Sequence, residues 1–491
     1  MKKLNYQVPT ADHVYEIFSC LNRIPRPSHH EEQVADFLCD YARRLGLEYQ
    51  RDDHNCVVIR KPATPGYEQA EPVVVLNHMD MVCVGMNDPL NDTVTPYIED
   101  GWMHARGTSL GADNGIGLSM ALAMLADDTI VHGPIEVITT TNEEDGMSGA
   151  ANLSADFIRG RKVINLDSED YDTITTGAAG AYLQAHRIPF AYMPAPAGKR
   201  RWYRITVSGG RGGHSGVDIN KGRASAVVIA WALLAAIYNE YDLELADIRV
   251  GEANASIAST AELIITVPSG EAAELVRAQE EQLNAWIQEE FGSTDPDVRC
   301  RIEKVSAMPS IICHEAFDAL MLSLEQVPQG VVKMSETMPG TVETSNNVGR
   351  IIMEENHLLV TTHTRSFIDD DMVSLGQEIA AAFAAQGATS EVIMSAPAWQ
   401  EDQQSAFLTL TSDVFDDVLG WRPRMVAMHF VLEAGYFVQK YPGIQIASIG
   451  PRIVEPHSTA ERVELSTIDD IWRVFVELLR RLAHCELKNE N

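Results

Sequence analysis

The sequence predicts an α/β sheet with helices on its faces, interrupted by an inserted α+β domain. Three observations carry this. Apolar strand-like runs alternate with helical patterns over residues 1–185. From 186 to 396 the pattern changes to longer, half-exposed strands of alternating polarity. After 397 the first pattern returns, and the last candidate functional histidine, His457, lies there. The C-terminal part must therefore fold back onto the N-terminal part, which makes the middle an insertion.

The elements follow in order. Residues 12–22 read as a helix. A second, amphipathic helix follows PSHH, with Ser28 and Glu31 in capping-box spacing. Strands are expected at CVVIRK, PVVVLNH, PIEVITTT and KVINLD. Between them GADNGIGLSMALAMLADD reads as a helix opened by Asp113 and ended by Asp127 and Asp128. In the insertion, RWYRITVSG, AELIITVP, VRCRIEKV and HLLVTTHTRS read as strands. Two clear helices lie among them, at 224–241 and 271–291, and AYMPAPAGKR (191–200) reads as a loop near the boundary. MVAMHF, IQIASIG and a final helix from Ser466 to Leu487 complete the chain. No internal repeat or low-complexity tract interrupts it.

At 491 residues the chain exceeds one ordinary core, so two or three domains are expected. Hydrophobic residues make up 45% and seven are tryptophan, which marks a folded globular protein. No apolar run approaches the ~20 residues of a membrane span, and the N-terminus lacks the apolar stretch of a signal peptide. Cys20, Cys39, Cys56, Cys83, Cys300, Cys313 and Cys485 are scattered with no C-x-x-C, as expected of a reduced, cytoplasmic protein. The formal net charge of −32 disfavours nucleic acid and anionic membrane as partners.

Five metal-ligand-type residues stand in five separated segments, each reading as the end of a buried strand. They are His78 (VVVLNHMDMV), Asp113 (RGTSLGADNGIG), Glu144 (VITTTNEEDGM), Asp167 (VINLDSE) and His457 (IVEPHST). Two histidines and three carboxylates are too many for one tetrahedral zinc and fit two ions sharing a carboxylate. Metal-assisted hydrolysis is the chemistry such a count suggests. Asp80 shares a strand face with His78 and can reach the back of its ring. Asp113, in a glycine-rich loop, can offer one oxygen to each ion, although taken alone a helix N-cap is the more ordinary use. Of the adjacent Glu143 and Glu144, the chemistry wants one as ligand and the other as general base. Each segment also has a plain reading: a surface His, an acidic loop, a solvated turn. GGRGGHSG presents His214 on a loop, either a hairpin turn or a means of aiming the ring. Arg365, at a strand end, suits a carboxylate or a surface ion pair.

Taken together, IPRPSHHEEQVADF, NHMDMV, RGTSLGADNGIG, TNEEDGM, NLDSE, GGRGGHSG, VETSNNVG, TRS, LEAG and SIGPRIVEPHS resemble the co-catalytic zinc peptidases of the aminoacylase/carboxypeptidase-G-like family over nearly the whole chain. The resemblance implies a zinc-peptidase catalytic domain with a mixed central sheet (1–185 and 397–491) and a lid (186–396). It implies two Zn2+ per chain, replaceable by Co2+ or Mn2+. His78 and Asp167 would hold one, Glu144 and His457 the other, and Asp113 would bridge them. Asp80 would orient His78, Glu143 would be the base, and His214 would stabilise the oxyanion. Asn254 and Arg365 would contact the substrate's C-terminal end and Glu433 its amino terminus. The implied substrates are dipeptides, those ending in histidine included, and the implied assembly is a homodimer through the lid. N-acyl-amino-acid deacylase or small-carboxypeptidase activity on the same fold is the alternative within the family. A non-catalytic metal-dependent binding protein is the alternative outside it. The chain departs from the family pattern at Glu455, where glycine is usual, at Ser256–Ile257 and at Asn142. No ligand or base is lost.

Overall fold

The computed structural model describes residues 8–238 and 241–484. Residues 239–240 of the expected helix 224–241, Cys485 and the end of the expected last helix lie outside them. The chain divides into two compact units: 1–177, 399–427 and 433–491 form the first, and 178–398 with 428–432 the second.

The first unit is built on a nine-stranded mixed sheet. Its centre is parallel: Ile135–Thr140, Val73–His78, Lys162–Asn165 and Gln445–Ser448 lie side by side in that order. Val57–Lys61 and Glu48–Arg51 add antiparallel strands at one end. The parallel strands are buried along their length, which is why they read as continuous Val/Ile/Leu runs rather than alternating ones. The helices Asp12–Leu21, Glu32–Leu45, Ala112–Ala126, Ala406–Leu419 and Leu465–His484 share one core with the sheet. Ala112–Ala126 is apolar all round and almost wholly buried, as expected of a helix enclosed by its neighbours.

The second unit is a separate nine-stranded sheet with antiparallel pairing. Ala226–Tyr238, Glu271–Phe291, His314–Gln326 and Asp369–Ala385 supply helices, and Phe317 and Phe383 pack into one core with Leu358 and Val360 of the strand His357–Ser366. His363 and Arg365 alternate with these onto the opposite face, opposite Asn347 and Ser345 of the neighbouring strand Val342–Met353.

Several expectations are corrected. Residues 191–200 are not one loop: Tyr192–Pro194 pairs with Ser310–Ile312, and a long strand begins at Arg200. The units part at Gly177/Ala178, whereas 185/186 falls inside the strand Gly180–Pro189, which is paired on both sides within the second unit. Residues 428–432 likewise group with the second unit. The capping box does not form. Glu31 is the N-cap residue of Glu32–Leu45 without a side-chain cap bond, and both Ser28 and Glu31 bond elsewhere.

Candidate metal centre and active site

The carboxyl ends of the four parallel strands form one rim, the usual place for a site in such sheets. His78 ends its own strand. Glu143 and Glu144 lie just beyond Thr140, Asp167 just beyond Asn165, and His457 in the segment that follows Ser448. Asp113 is not at a strand end. It lies in the first turn of Ala112–Ala126, with non-helical φ/ψ of −78° and 117°, and its peptide bond to Asn114 is cis.

Asp113 Oδ1 lies 3.1 Å from His78 Nε2, and Oδ2 lies 3.3 Å from His457 Nε2. His78 Nε2 is also 3.3 Å from Asp167 Oδ1, and His457 Nε2 is 2.8 Å from Glu144 Oε2. The five residues thus fall into two groups, His78 with Asp167 and His457 with Glu144, and each faces one oxygen of Asp113. Ligand atoms of His78, Asp113 and Glu144 come within 4.8 Å of one another. Asp167 also accepts the side-chain amide of Asn114, whose Nδ2 donates to Leu166 O at 2.8 Å as well.

The electrostatics call for positive charge. Hydrogen bonds to Asp113 and Glu144 raise His457 to about 11. Burial acts to lower His78, yet Asp167, Asp113 and Asp80 hold it well above the usual range. Burial raises Glu144 and Asp167, and it pushes Glu143 well up with help from Asp167, Glu433 and Glu144. Glu433 is raised to about 8 by burial, then Asp167 and Asp80. It accepts Thr140 Oγ1 at 2.8 Å, while its Oε1 is buried without a partner.

Asp80 is fully buried behind this group. Its Oδ1 is 3.4 Å from His78 Nδ1 and accepts the Glu143 N–H at 3.1 Å; its Oδ2 accepts the Glu144 N–H at 3.1 Å and Ser28 Oγ at 2.7 Å. One carboxylate therefore fixes the glutamate pair by hydrogen bonds and lies in ion-pair range of the histidine. Glu31 accepts the Asn142 N–H at 2.8 Å, and Asn142 sits at φ 57°, a left-handed position that asparagine tolerates. Ser28 and Glu31 were legible in the sequence, but as a cap.

His214, Asn254 and Arg365 belong to the second unit. His214 Nδ1 accepts the N–H groups of Gly216 and Val217 at 3.2 and 3.1 Å. The ring proton of the neutral form is therefore on Nε2. Burial, then Arg365, lowers His214 to about 4, so it is neutral. Arg365 is buried, and its contacts are Ser215 Oγ at 3.4 Å and His363 Nδ1 at 3.5 Å. Among the described residues no carboxylate pairs with it, so the surface ion-pair reading is excluded, and its Nε has no partner. His363 and His429 were missed. Both are buried and lowered by burial and Arg365, and His363 Nε2 lacks a partner. Single histidines in a strand and a loop carry no signal of this kind. Asn254 Oδ1 is likewise buried and unpartnered.

Residues 74–481 match the family described as peptidase family M20/M25/M40. The cytosol non-specific dipeptidase of Escherichia coli is 34% identical over 96% of this chain and 97% of its own. The crystal structure of aminoacylhistidine dipeptidase from Vibrio alginolyticus superposes with a TM-score of 0.89 at 33% identity, covering 97% of this chain and 98% of that one. Aminopeptidase PepT from Bacillus cereus shares the fold, with a TM-score of 0.58 at 18% identity over 97% of this chain and 99% of its own.

Proposed function

This chain belongs to peptidase family M20/M25/M40, and on that premise we propose that it is a cytoplasmic dipeptidase that hydrolyses dipeptides at a pair of zinc ions. The observation that carries the reading is Asp113, with one oxygen toward His78 and the other toward His457. The donor set fits. Imidazole nitrogens and carboxylate oxygens suit zinc, with Co2+ or Mn2+ as substitutes, and Glu144 Oε1 is buried with no partner. His78 and Asp167 would hold one ion, Glu144 and His457 the other, with Asp113 shared. Bound there, zinc supplies a nucleophilic water at neutral pH and polarises the scissile carbonyl.

The chain's own groups do the rest. Glu143 accepts the proton of the attacking water at its carboxylate and delivers it to the leaving amine. Asp80, 3.4 Å from His78 Nδ1, would orient the ring. His214 offers Nε2–H to the developing oxyanion. Arg365, a buried guanidinium with no counter-ion among the described residues, takes the substrate's C-terminal carboxylate together with Asn254. The free Oε1 of Glu433 receives the α-ammonium.

The first unit is then the catalytic domain and the second the lid. Exposed Val331, Val332 and Met334 on one strand, and Val392, Ile393 and Met394 on the edge strand Thr389–Ala396, favour a homodimer through the second unit. Cytoplasmic location is supported by the relative named cytosolic, and among the described residues no helix is long and apolar enough to cross a membrane.

The test is a panel of dipeptides, Xaa-His included, beside their N-acetylated counterparts, with elemental analysis. Free dipeptides should be cleaved, acetylated ones poorly, and activity should vanish on chelation and return with zinc. Preference for the acetylated compounds would move the assignment to a deacylase. Full activity with one ion per chain would overturn the shared-carboxylate arrangement.

A further inference from the structure

The segment that carries His457 also carries Glu461, and Glu461 grips the segment that carries Asp113. Its Oε2 accepts the N–H groups of Leu110 and Gly111 at 2.7 and 3.0 Å; its Oε1 accepts those of Ala112 and Asp113 at 2.8 and 3.4 Å. The carboxylate is 2% exposed. Successive backbone N–H groups converging in this way form an anion nest, filled here by the protein's own side chain.

The same stretch is held from the other side. Arg26, also buried, donates Nη2–H to Gly111 O at 2.6 Å, while its Nη1 reaches Met79 O and Asp80 O at 3.1 and 2.9 Å. Gly111 therefore gives its N–H to a buried anion and its C=O to a buried cation. Its φ is 66°, and a Cβ there would lie 2.6 Å from Arg26 Nη2 and 2.7 Å from Met81 Sδ. A side chain there would have to displace Arg26 or Met81.

Glu461 is joined to His457 by a short turn. Ser458 Oγ donates to Glu455 O at 2.8 Å, the Ala460 N–H donates to Ser458 Oγ at 3.1 Å, and the Glu461 N–H reaches Ser458 O at 3.3 Å. The His457 side chain is 47% exposed, so packing does little to place the residue and the turn sets its backbone.

We propose that Glu461 is a positioning residue for the metal pair, locking the shared carboxylate Asp113 in register with His457; this rests on the two-ion reading above. A carboxylate serving two ions must present both oxygens in set places. Asp113 lies outside regular helix geometry, so helical hydrogen bonds cannot set its backbone. Glu461 sets it instead, from the turn that also sets His457. The two ligands thereby move as one piece, and Arg26 extends that piece to the segment bearing His78.

The test uses Glu461→Gln and Glu461→Asp in the full chain. Zinc affinity is measured by chelator competition, and the Co2+-loaded protein by visible absorption, with thermal melting as control. Glutamine turns an NH2 toward N–H donors, and aspartate is one methylene short. The expected result is a cooperative melt with zinc affinity lowered ten- to a hundredfold, the usual cost of losing a group that orients a ligand, and a changed Co2+ spectrum. Aspartate should fall between glutamine and wild type. Unchanged affinity and spectrum in a folded Gln variant would overturn the proposal. So would loss of cooperative melting in both variants, which would make Glu461 a residue of the fold alone. If only the Gln variant fails to fold, weakened zinc affinity of the Asp variant supports the proposal and wild-type affinity overturns it. Wild-type protein that holds no metal under the same conditions would instead sink the two-ion reading.

Discussion

Ser28 Oγ donates to Asp80 Oδ2 at 2.7 Å. The spacing that reads as a helix cap serves instead to hold a fully buried carboxylate behind His78 and the glutamate pair. A hydrogen bond to a charged group is worth about 1.5–3 kcal/mol. Ser28→Ala should therefore weaken zinc retention and turnover by about tenfold or more. Asp80→Asn should cost more, because its NH2 would face the N–H groups of Glu143 or Glu144. A helix-cap role would lower melting temperature alone, so melting and zinc competition on the same variant separate the two.

The glutamate pair gives the second prediction. Glu143→Gln should retain both ions and lose most of kcat, since an amide cannot take the water's proton. Glu144→Gln should lose occupancy at one position, because its Oε2 faces His457 at 2.8 Å. Metal analysis beside single-turnover kinetics decides. Loss of zinc in the first variant with full loading of an inactive second would exchange their roles.

In the second unit, His214→Ala should lower kcat roughly a hundredfold or more, the scale of one oxyanion donor, with metal content unchanged. Arg365→Ala should mainly raise KM, since the substrate carboxylate is charged in ground and transition states alike. His363→Ala should act in the same direction more weakly, because it removes both the neighbour of Arg365 Nη2 and an unpartnered buried nitrogen. Dipeptide amides are the control. An equal penalty on amides and free acids would remove both residues from carboxylate binding. Mixed dimers of His214→Ala and Glu143→Gln chains should regain activity only if one chain supplies the histidine and its partner the base.

His186 supplies a pH prediction away from the metal centre. Burial lowers it from 6.5 to about 4, against Phe383 at a ring separation of 4.1 Å with Ser390 and Thr362 as hydrogen-bond partners. The unfolded chain therefore binds its proton first as pH falls. Stability is full above the unfolded value and is lost from 6.5 down through the folded value, by up to about 3 kcal/mol. His186→Gln should flatten the fall in melting temperature between pH 6.5 and 4. A curve parallel to wild type would reject the assignment.

Glu455 stands at φ 55°, in the left-handed region that costs a side chain about 1–2 kcal/mol. Its carboxylate reaches no closer than 3.8 Å to Arg462 and is 56% exposed, so little offsets that cost. Glu455→Gly should raise the melting temperature, with zinc content unchanged. A lower melting temperature would mean that the glutamate side chain stabilises the turn more than its backbone strains it.

What the sequence alone determined follows from local physics. Continuous Val/Ile runs mark strands buried on both faces. His78, Asp167 and the Glu143–Glu144 pair are legible because a polar residue closing such a run has to lie at a sheet rim. The apolar helix after Asp113 reads from composition, and the insertion from the return of α/β patterning. The tertiary structure decided everything that depends on which rims meet. Ser28, Glu31, Arg26 and Glu461 are ordinary polar residues that each reach a partner 52 to 351 positions away, and no local pattern marks such a bond. His363 and His429 became visible through what surrounds them, a buried guanidinium without an anion among the described residues. A residue's type and its neighbours along the chain set its secondary structure. Its charge state and its hydrogen-bond partners are set by the groups that folding brings against it.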